Sequence, residues 1–247
     1  MRIGGVIFDV NGTLIDIHTD EGCRRVYRAI SHFLTYQGIS VHRSAIQEEY
    51  CQILREQRRA SGQAHPEYDA QAVWREFLHR RCQGAPGLTQ AKAEILPLFL
   101  AELFRGVSRR RLELYPGVRE TLDHLRHHHR LAVISDGQSA WARPEMRAVG
   151  IEHYFDPIVV SGDHGFRKPD RRLFENALHR LGIPAWEAVY VGNDMYRDVF
   201  GPKQLGMKTV FFDSNQGRKH WEGVAPDYII RHFGELPRAI EFLQHNH

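Results

Sequence analysis

From Leu114 onward the chain alternates short apolar runs with segments whose apolar residues recur at helical spacing, and this alternation restricts the fold more than any other feature. The short runs are Leu131 to Ile134, Pro157 to Ser161, Ala188 to Val191, Thr209 to Phe212 and Tyr228 to Ile230. Helical patterns lie between them over Pro116 to His124, Trp141 to Val149, Arg171 to Leu181, the stretch from Asp194 to Leu205, and Leu236 to Leu243. Strands alternating with helices predict an α/β fold, a doubly wound parallel sheet with helices on both faces. The N-terminus supplies a further strand, because the apolar run with Ile3, Val6, Ile7 and Phe8 stops at Asp9 and gives way to the turn Asn11-Gly12-Thr13.

Residues 16–113 read differently. Helical spacing covers Cys23 to Tyr36, with Gly38 as a stop, then Ile46 to Leu54, Val73 to Leu78 and Ile95 to Leu103, where Pro97 marks a kink or a shifted start. No strand is expected in this block. An all-helical insertion of that length is a second domain rather than a loop. The expected organisation is an α/β core made of residues 1–15 and 114–247, with a helical domain of residues 16–113 set into it. Linkers near Asp16 and Glu113 would then act as hinges. Trp74, Phe77 and Leu78 are read as the core of the inserted domain.

Composition excludes several classes of function. The formal net charge is only +3 and the basic residues are scattered, so a nucleic-acid partner is not indicated. Neither a leader-like start nor a spanning apolar stretch is present, so no membrane partner is expected. Cys23, Cys51 and Cys82 are an odd number without CxxC spacing, which points to a reducing, cytoplasmic setting. No feature sets an oligomeric state.

In an open parallel sheet, ligands bind at the carboxyl ends of the strands. Asp9, Ser135, Lys168 and Asp194 all lie at or just beyond such ends, so one edge can collect them. Taken singly, Asp9 can merely open a turn, Ser135 can flank a helix, and Lys168 can be a surface ammonium.

Four ordered segments change that balance: FDVNGTL, VISDG, FRKPD and VGNDMYRDVFGPKQLGM. Together they resemble the haloacid dehalogenase-like hydrolase superfamily, with the helical insertion resembling its cap. The resemblance implies that Asp9 is a nucleophile, that Ser135 hydrogen-bonds the transferring group, and that Lys168 neutralises phosphate charge and holds Asp9 in line. It further implies substrate contacts from Thr13, Asp136 and Gly137. Magnesium would be held by Asp9, Asn11 through its carbonyl, and the fourth segment, where Asn193, Asp194 and Asp198 are the candidate ligands. The expected substrate is a small anionic molecule.

Two positions depart from the usual phosphatase pattern. Asn11 stands where an aspartate commonly serves as general acid and base, and an amide cannot shuttle a proton at neutral pH. Asn193 stands where the family usually has Asp, with Asp194 beside it. A halide leaving group needs no proton, which keeps 2-haloacid dehalogenation as an alternative, although Asn11 and the Asp194/Asp198 pair fit it less well. A binding protein that has lost turnover is a third reading, and Asn11 as an engineered substitution is a fourth.

The remaining polar clusters carry less weight. In His127-His128-His129 consecutive side chains diverge, and only His124 with His127 or His128 shares a face, so a solvated helix end is the expected reading. Arg109-Arg110-Arg111 reads as a solvated linker. Arg24 and Arg25 open the first helix of the insertion and are the expected cap residues to reach an anion.

Overall fold

Gly5–Phe8 forms β1, buried on both faces as a central strand of a parallel sheet must be. The structure, a computed structural model, describes residues 2–81 and 89–245. β1 pairs in parallel with β4 (Arg130–Ser135) on one side and β6 (Ala188–Gly192) on the other. β5 (Ile158–Val160) flanks β4, while β7 (Lys208–Phe212) and β8 (Tyr228–Ile230) follow β6, giving the order β5-β4-β1-β6-β7-β8. Phe8 lies in register with Val133 and Val191, so Asp9, Ser135 and the residues after Gly192 end at one edge.

The two faces of the sheet are covered by different helices. Val6 and Phe8 pack with α5 (Val118–Leu125), α6 (Ser139–Ala148) and α9 (Leu236–His245). Ile7, between them, points the other way, toward α7 (Arg171–Leu181). This is the doubly wound arrangement predicted by the alternation.

Between β1 and β4 the chain builds four helices: α1 (Arg24–Tyr36), α2 (Arg43–Ala60), α3 (Ala70–Arg81) and α4 (Gln90–Ser108). They enclose a cluster of their own around Ile30, Tyr50, Trp74, Phe77 and Phe104, which includes the expected Trp74, Phe77 and Leu78. Pro97 sits inside α4 rather than at its start. Gly38 follows α1 at a φ of +84°, the left-handed conformation that ends helices.

Two expectations fail locally. The block was expected to lack strands, yet β2 (Ile15–Thr19) and β3 (Arg109–Leu114) pair antiparallel where the chain enters and leaves it. Both are short and half exposed, and a pairing across so many residues leaves little local signal; Arg109-Arg110-Arg111 is thus a strand, not a linker. The stretch after Asp194 is not one regular helix either. It opens as a π-helix over Met195–Phe200 before the short α8 (Gly201–Lys203), a geometry that recurs at functional sites.

No described helix is long and apolar enough to cross a membrane. Cys23 and Cys51 are free thiols, and Cys82 lies outside the described residues.

Candidate active site

Asp9, the first residue past β1, is held at both carboxylate oxygens. Oδ1 accepts from the Lys168 ammonium at 2.7 Å and Oδ2 from the Thr13 hydroxyl at 2.9 Å. Thr13 reaches Asp9 because the chain reverses at Gly12, whose φ is +88° and whose position leaves no room for a side chain: a Cβ would lie 2.2 Å from Asn193 Nδ2.

Lys168 arrives on the loop before α7, with its backbone N–H fixed on Asp136 Oδ1 at 2.9 Å. The residue is 2% exposed, and its ammonium bridges Asp9 and Asp198, each at 2.7 Å, with the Tyr190 hydroxyl at 3.1 Å. Burial by itself would push the lysine pKa down, but the carboxylates of Asp198 and Asp9 outweigh it and hold the pKa well above its ordinary value. Burial and the charge of Asp9 push Asp198 up to about 6 against the pull of Lys168. The cluster sets one ammonium between two carboxyl groups.

Tyr190 was not singled out by sequence reading. The available signal was a hydroxyl in the middle of a fully buried strand, since such a group requires a partner.

The fourth segment divides its acids between structural tasks. Asp198 Oδ2 accepts the N–H groups of Asn193 at 3.2 Å and Asp194 at 3.1 Å. Asp194 caps the π-helix through the N–H groups of Tyr196 and Arg197, and its other oxygen takes Arg197 Nη2 at 3.0 Å and the Arg218 N–H at 3.1 Å. Burial raises the Asp194 pKa, and Arg197 with these bonds more than reverses it, leaving the carboxyl below its usual range. Asn193 instead turns Oδ1 to Thr13 at 3.2 Å. Because the Thr13 hydroxyl has one proton, it satisfies Asp9 Oδ2 or Asn193 Oδ1 but not both at once. Among the described residues no cluster of three His, Cys, Asp or Glu side chains is arranged to hold a metal ion.

A cleft of about 170 Å³ lies between the strand ends and the helical block, and Asn11, two residues after Asp9, is part of its lining. Asn11, Ser135, Asp136 and Gly137 line its core side. Ser135 Oγ and Asn11 Oδ1 are buried without a hydrogen-bond partner among the described residues. The Gly137 N–H is already given to Ser161 Oγ at 2.9 Å. Arg24 is exposed at the start of α1 and is not among the lining residues, and Arg25 donates to the Val107 carbonyl. Sequence reading placed the cap's anion contact there. The lining instead takes Arg58, Glu67 and Tyr68 from the end of α2 and the loop after it, and Arg105 from α4.

The helical block is fastened across this cleft by polar contacts. Arg105 pairs with Glu145 at 2.6 Å, Trp141 Nε1 donates to the Ala101 carbonyl at 2.9 Å, and Ser161 Oγ donates to Glu67 at 2.9 Å. Burial, the largest influence on Glu67, raises its pKa.

A family model described as haloacid dehalogenase-like hydrolase matches residues 3–206. A glyceraldehyde 3-phosphate phosphatase from Pyrococcus abyssi is 36% identical over 98 residues, 39% of this chain and 41% of that protein. A protein of the same name from Methanopyrus kandleri is 29% identical over 211 residues, 84% of this chain and 83% of its own length. The first three curated relatives are spanned over only 41%, 46% and 54% of their lengths. A solved 2-haloacid dehalogenase from Pseudomonas syringae superposes with a TM-score of 0.70 at 24% identity, covering 98% of this chain and 99% of the other, which is a likeness of fold. With the model spanning most of its length and the same architecture around it, this chain belongs to the haloacid dehalogenase-like hydrolase family.

Proposed function

We propose that the protein is a phosphatase of small phosphomonoesters with Asp9 as nucleophile, acting in the cytoplasm with the helical block as its cap. The observation that carries this reading is the placement of Asp9: its carboxylate is fixed by Lys168 and Thr13 at the strand edge where Asn11 and Ser135 line a cleft and the Ser135 hydroxyl has no partner among the described residues. The names of the archaeal relatives agree with phosphate-ester chemistry.

In the first step an Asp9 carboxylate oxygen attacks phosphorus, the bond to the ester oxygen breaks, and the alkoxide leaves with a proton taken from water. Water then attacks phosphorus, the bond between phosphorus and the Asp9 oxygen breaks, the carboxylate is regenerated and phosphate is released, and the proton lost by the attacking water neutralises the hydroxide left by the first step. Ser135 Oγ donates to a phosphoryl oxygen, and Lys168 offsets the charge that carboxylate and phosphoryl group share. Asn11 can orient the leaving oxygen but not protonate it, so esters with poor leaving groups turn over slowly.

The residues suit magnesium in a reduced form. Asp9 Oδ2 and Asn193 Oδ1 share one donor, so one of the two oxygens always lacks that hydrogen bond and can face a cation, whereas Asp194 and Asp198 are committed elsewhere. One carboxylate and one amide oxygen suffice for an ion that keeps most of its water and takes substrate phosphate. When bound, the ion would lower the repulsion between Asp9 and an anionic ester.

The test is a parallel assay of an aryl phosphate, an alkyl phosphate and 2-chloropropionate, each with magnesium and with chelator. The expected result is metal-dependent phosphate release, faster for the aryl ester. Chloride release indifferent to chelator would replace this reading with dehalogenation, and binding of a phosphate analogue without turnover would replace it with a binding role.

A further inference from the structure

The charged side chains lining the cleft are paired with one exception. Arg105 holds Glu145 at 2.6 Å and Glu21 at 3.1 Å. Arg167 faces Asp136 at 3.5 Å and Glu67 at 3.9 Å. These two guanidinium groups account for all four lining acids. Arg58 has no carboxylate within ion-pairing distance among the described residues, and its Nε is buried without an acceptor. Its guanidinium carbon lies 5.1 Å from the ring centroid of Tyr68, which is itself 9% exposed. The ring therefore orients the guanidinium without satisfying its donors.

A buried donor on a permanent cation is costly unless an acceptor arrives, and the acceptor that suits the edge of a guanidinium is a carboxylate. Arg58 comes from the helical block, whereas Asn11 and Ser135 line the opposite, core side of the same cleft. A volume of about 170 Å³ admits only a short carbon skeleton between the two ends. We propose that Arg58 is the residue that selects substrate, taking a carboxylate carried by a short-chain phosphomonoester whose phosphoryl group lies at Asp9. This rests on the phosphatase reading above and narrows it to phosphorylated hydroxy acids. Arg167 and Arg105 hold their acids in place and leave the selective contact to Arg58.

The experiment uses matched pairs that differ in one carboxylate. Phosphoglycolate and ethyl phosphate are assayed as substrates, and phosphonoacetate and methylphosphonate as non-hydrolysable ligands in thermal-shift titrations, with the parent, Arg58→Ala and Arg58→Lys proteins. The expected result is that Arg58→Ala lowers kcat/KM for phosphoglycolate about 10- to 100-fold, mainly through KM, with a loss for ethyl phosphate at least about tenfold smaller. Arg58→Lys should recover part of the loss. Phosphonoacetate should bind the parent about tenfold more tightly than methylphosphonate, a preference that Arg58→Ala abolishes. Equal losses for both esters, or equal binding of the two phosphonates by the parent, overturns the assignment of Arg58. If neither ester is hydrolysed the phosphatase reading fails by itself, and the phosphonate titrations still decide whether Arg58 reads a carboxylate.

Discussion

The Lys168 ammonium and the Asp198 carboxylate lie 2.7 Å apart, both almost fully buried, so the cation that neutralises Asp9 is itself anchored from behind. Removing one member of such a pair leaves an uncompensated buried charge, which typically costs about 3–5 kcal/mol. Lys168→Met should therefore lower the urea midpoint markedly, and adding Asp198→Asn should restore part of it, because the second change removes the more deeply buried of the two stranded carboxylates. Phosphatase activity should stay at least ~10²-fold down in both proteins. An unchanged midpoint in Lys168→Met would show that the ammonium is not held as described.

Asn11 lines the cleft with its Oδ1 buried and unpartnered. A carboxyl at the same place would supply the missing proton. Asn11→Asp should raise alkyl phosphate turnover by roughly 10²–10⁴-fold, with a smaller rise for aryl phosphates, whose leaving groups need no acid. Equal gains on both esters would place the limitation elsewhere.

Asn193 Oδ1 and Asp9 Oδ2 compete for the Thr13 hydroxyl. Converting the amide to a carboxylate adds charge at the proposed cation site without changing its size. Asn193→Asp should tighten magnesium binding about tenfold in calorimetric titrations without substrate, and Asp194→Asn should leave it nearly unchanged. The reverse ranking would move the ion to Asp194.

His129 faces the Ile3 carbonyl at 3.0 Å and is half-buried; burial first, then His128 and His124, lower its pKa below the ordinary 6.5. The unfolded chain then binds this proton more readily than the folded one. Stability is complete above pH 6.5 and is lost as pH falls from there toward the lowered folded value. Urea midpoints at pH 7.5 and pH 5.5 should differ less in His129→Gln than in the parent. Identical pH slopes would remove His129 as the cause.

The core and its four sequence segments were legible because β1, β4 and β6 are buried continuous runs that end in polar residues, and those ends converge by topology alone. The meeting of Asp9 and Lys168 followed from the same logic. The roles of Asp194 and Asp198 were not legible, since which of two neighbouring carboxylates caps a helix and which anchors a lysine depends on the wide turn of Met195–Phe200. Arg58 was equally hidden among Arg55, Arg58 and Arg59 near the end of α2, where only packing against Tyr68 separates one basic residue from the next.

The β2–β3 ribbon has a consequence for how such a chain can diversify. Thr19 pairs with Arg109, and Asp16 with Glu113, so everything from residue 20 to residue 108 leaves and rejoins the body of the protein through one narrow stalk. A two-residue hairpin turn spans that distance. The backbone of the helical block can therefore vary as one insertion between two adjacent positions, provided its contacts to Glu145, Trp141 and Ser161 are kept or replaced.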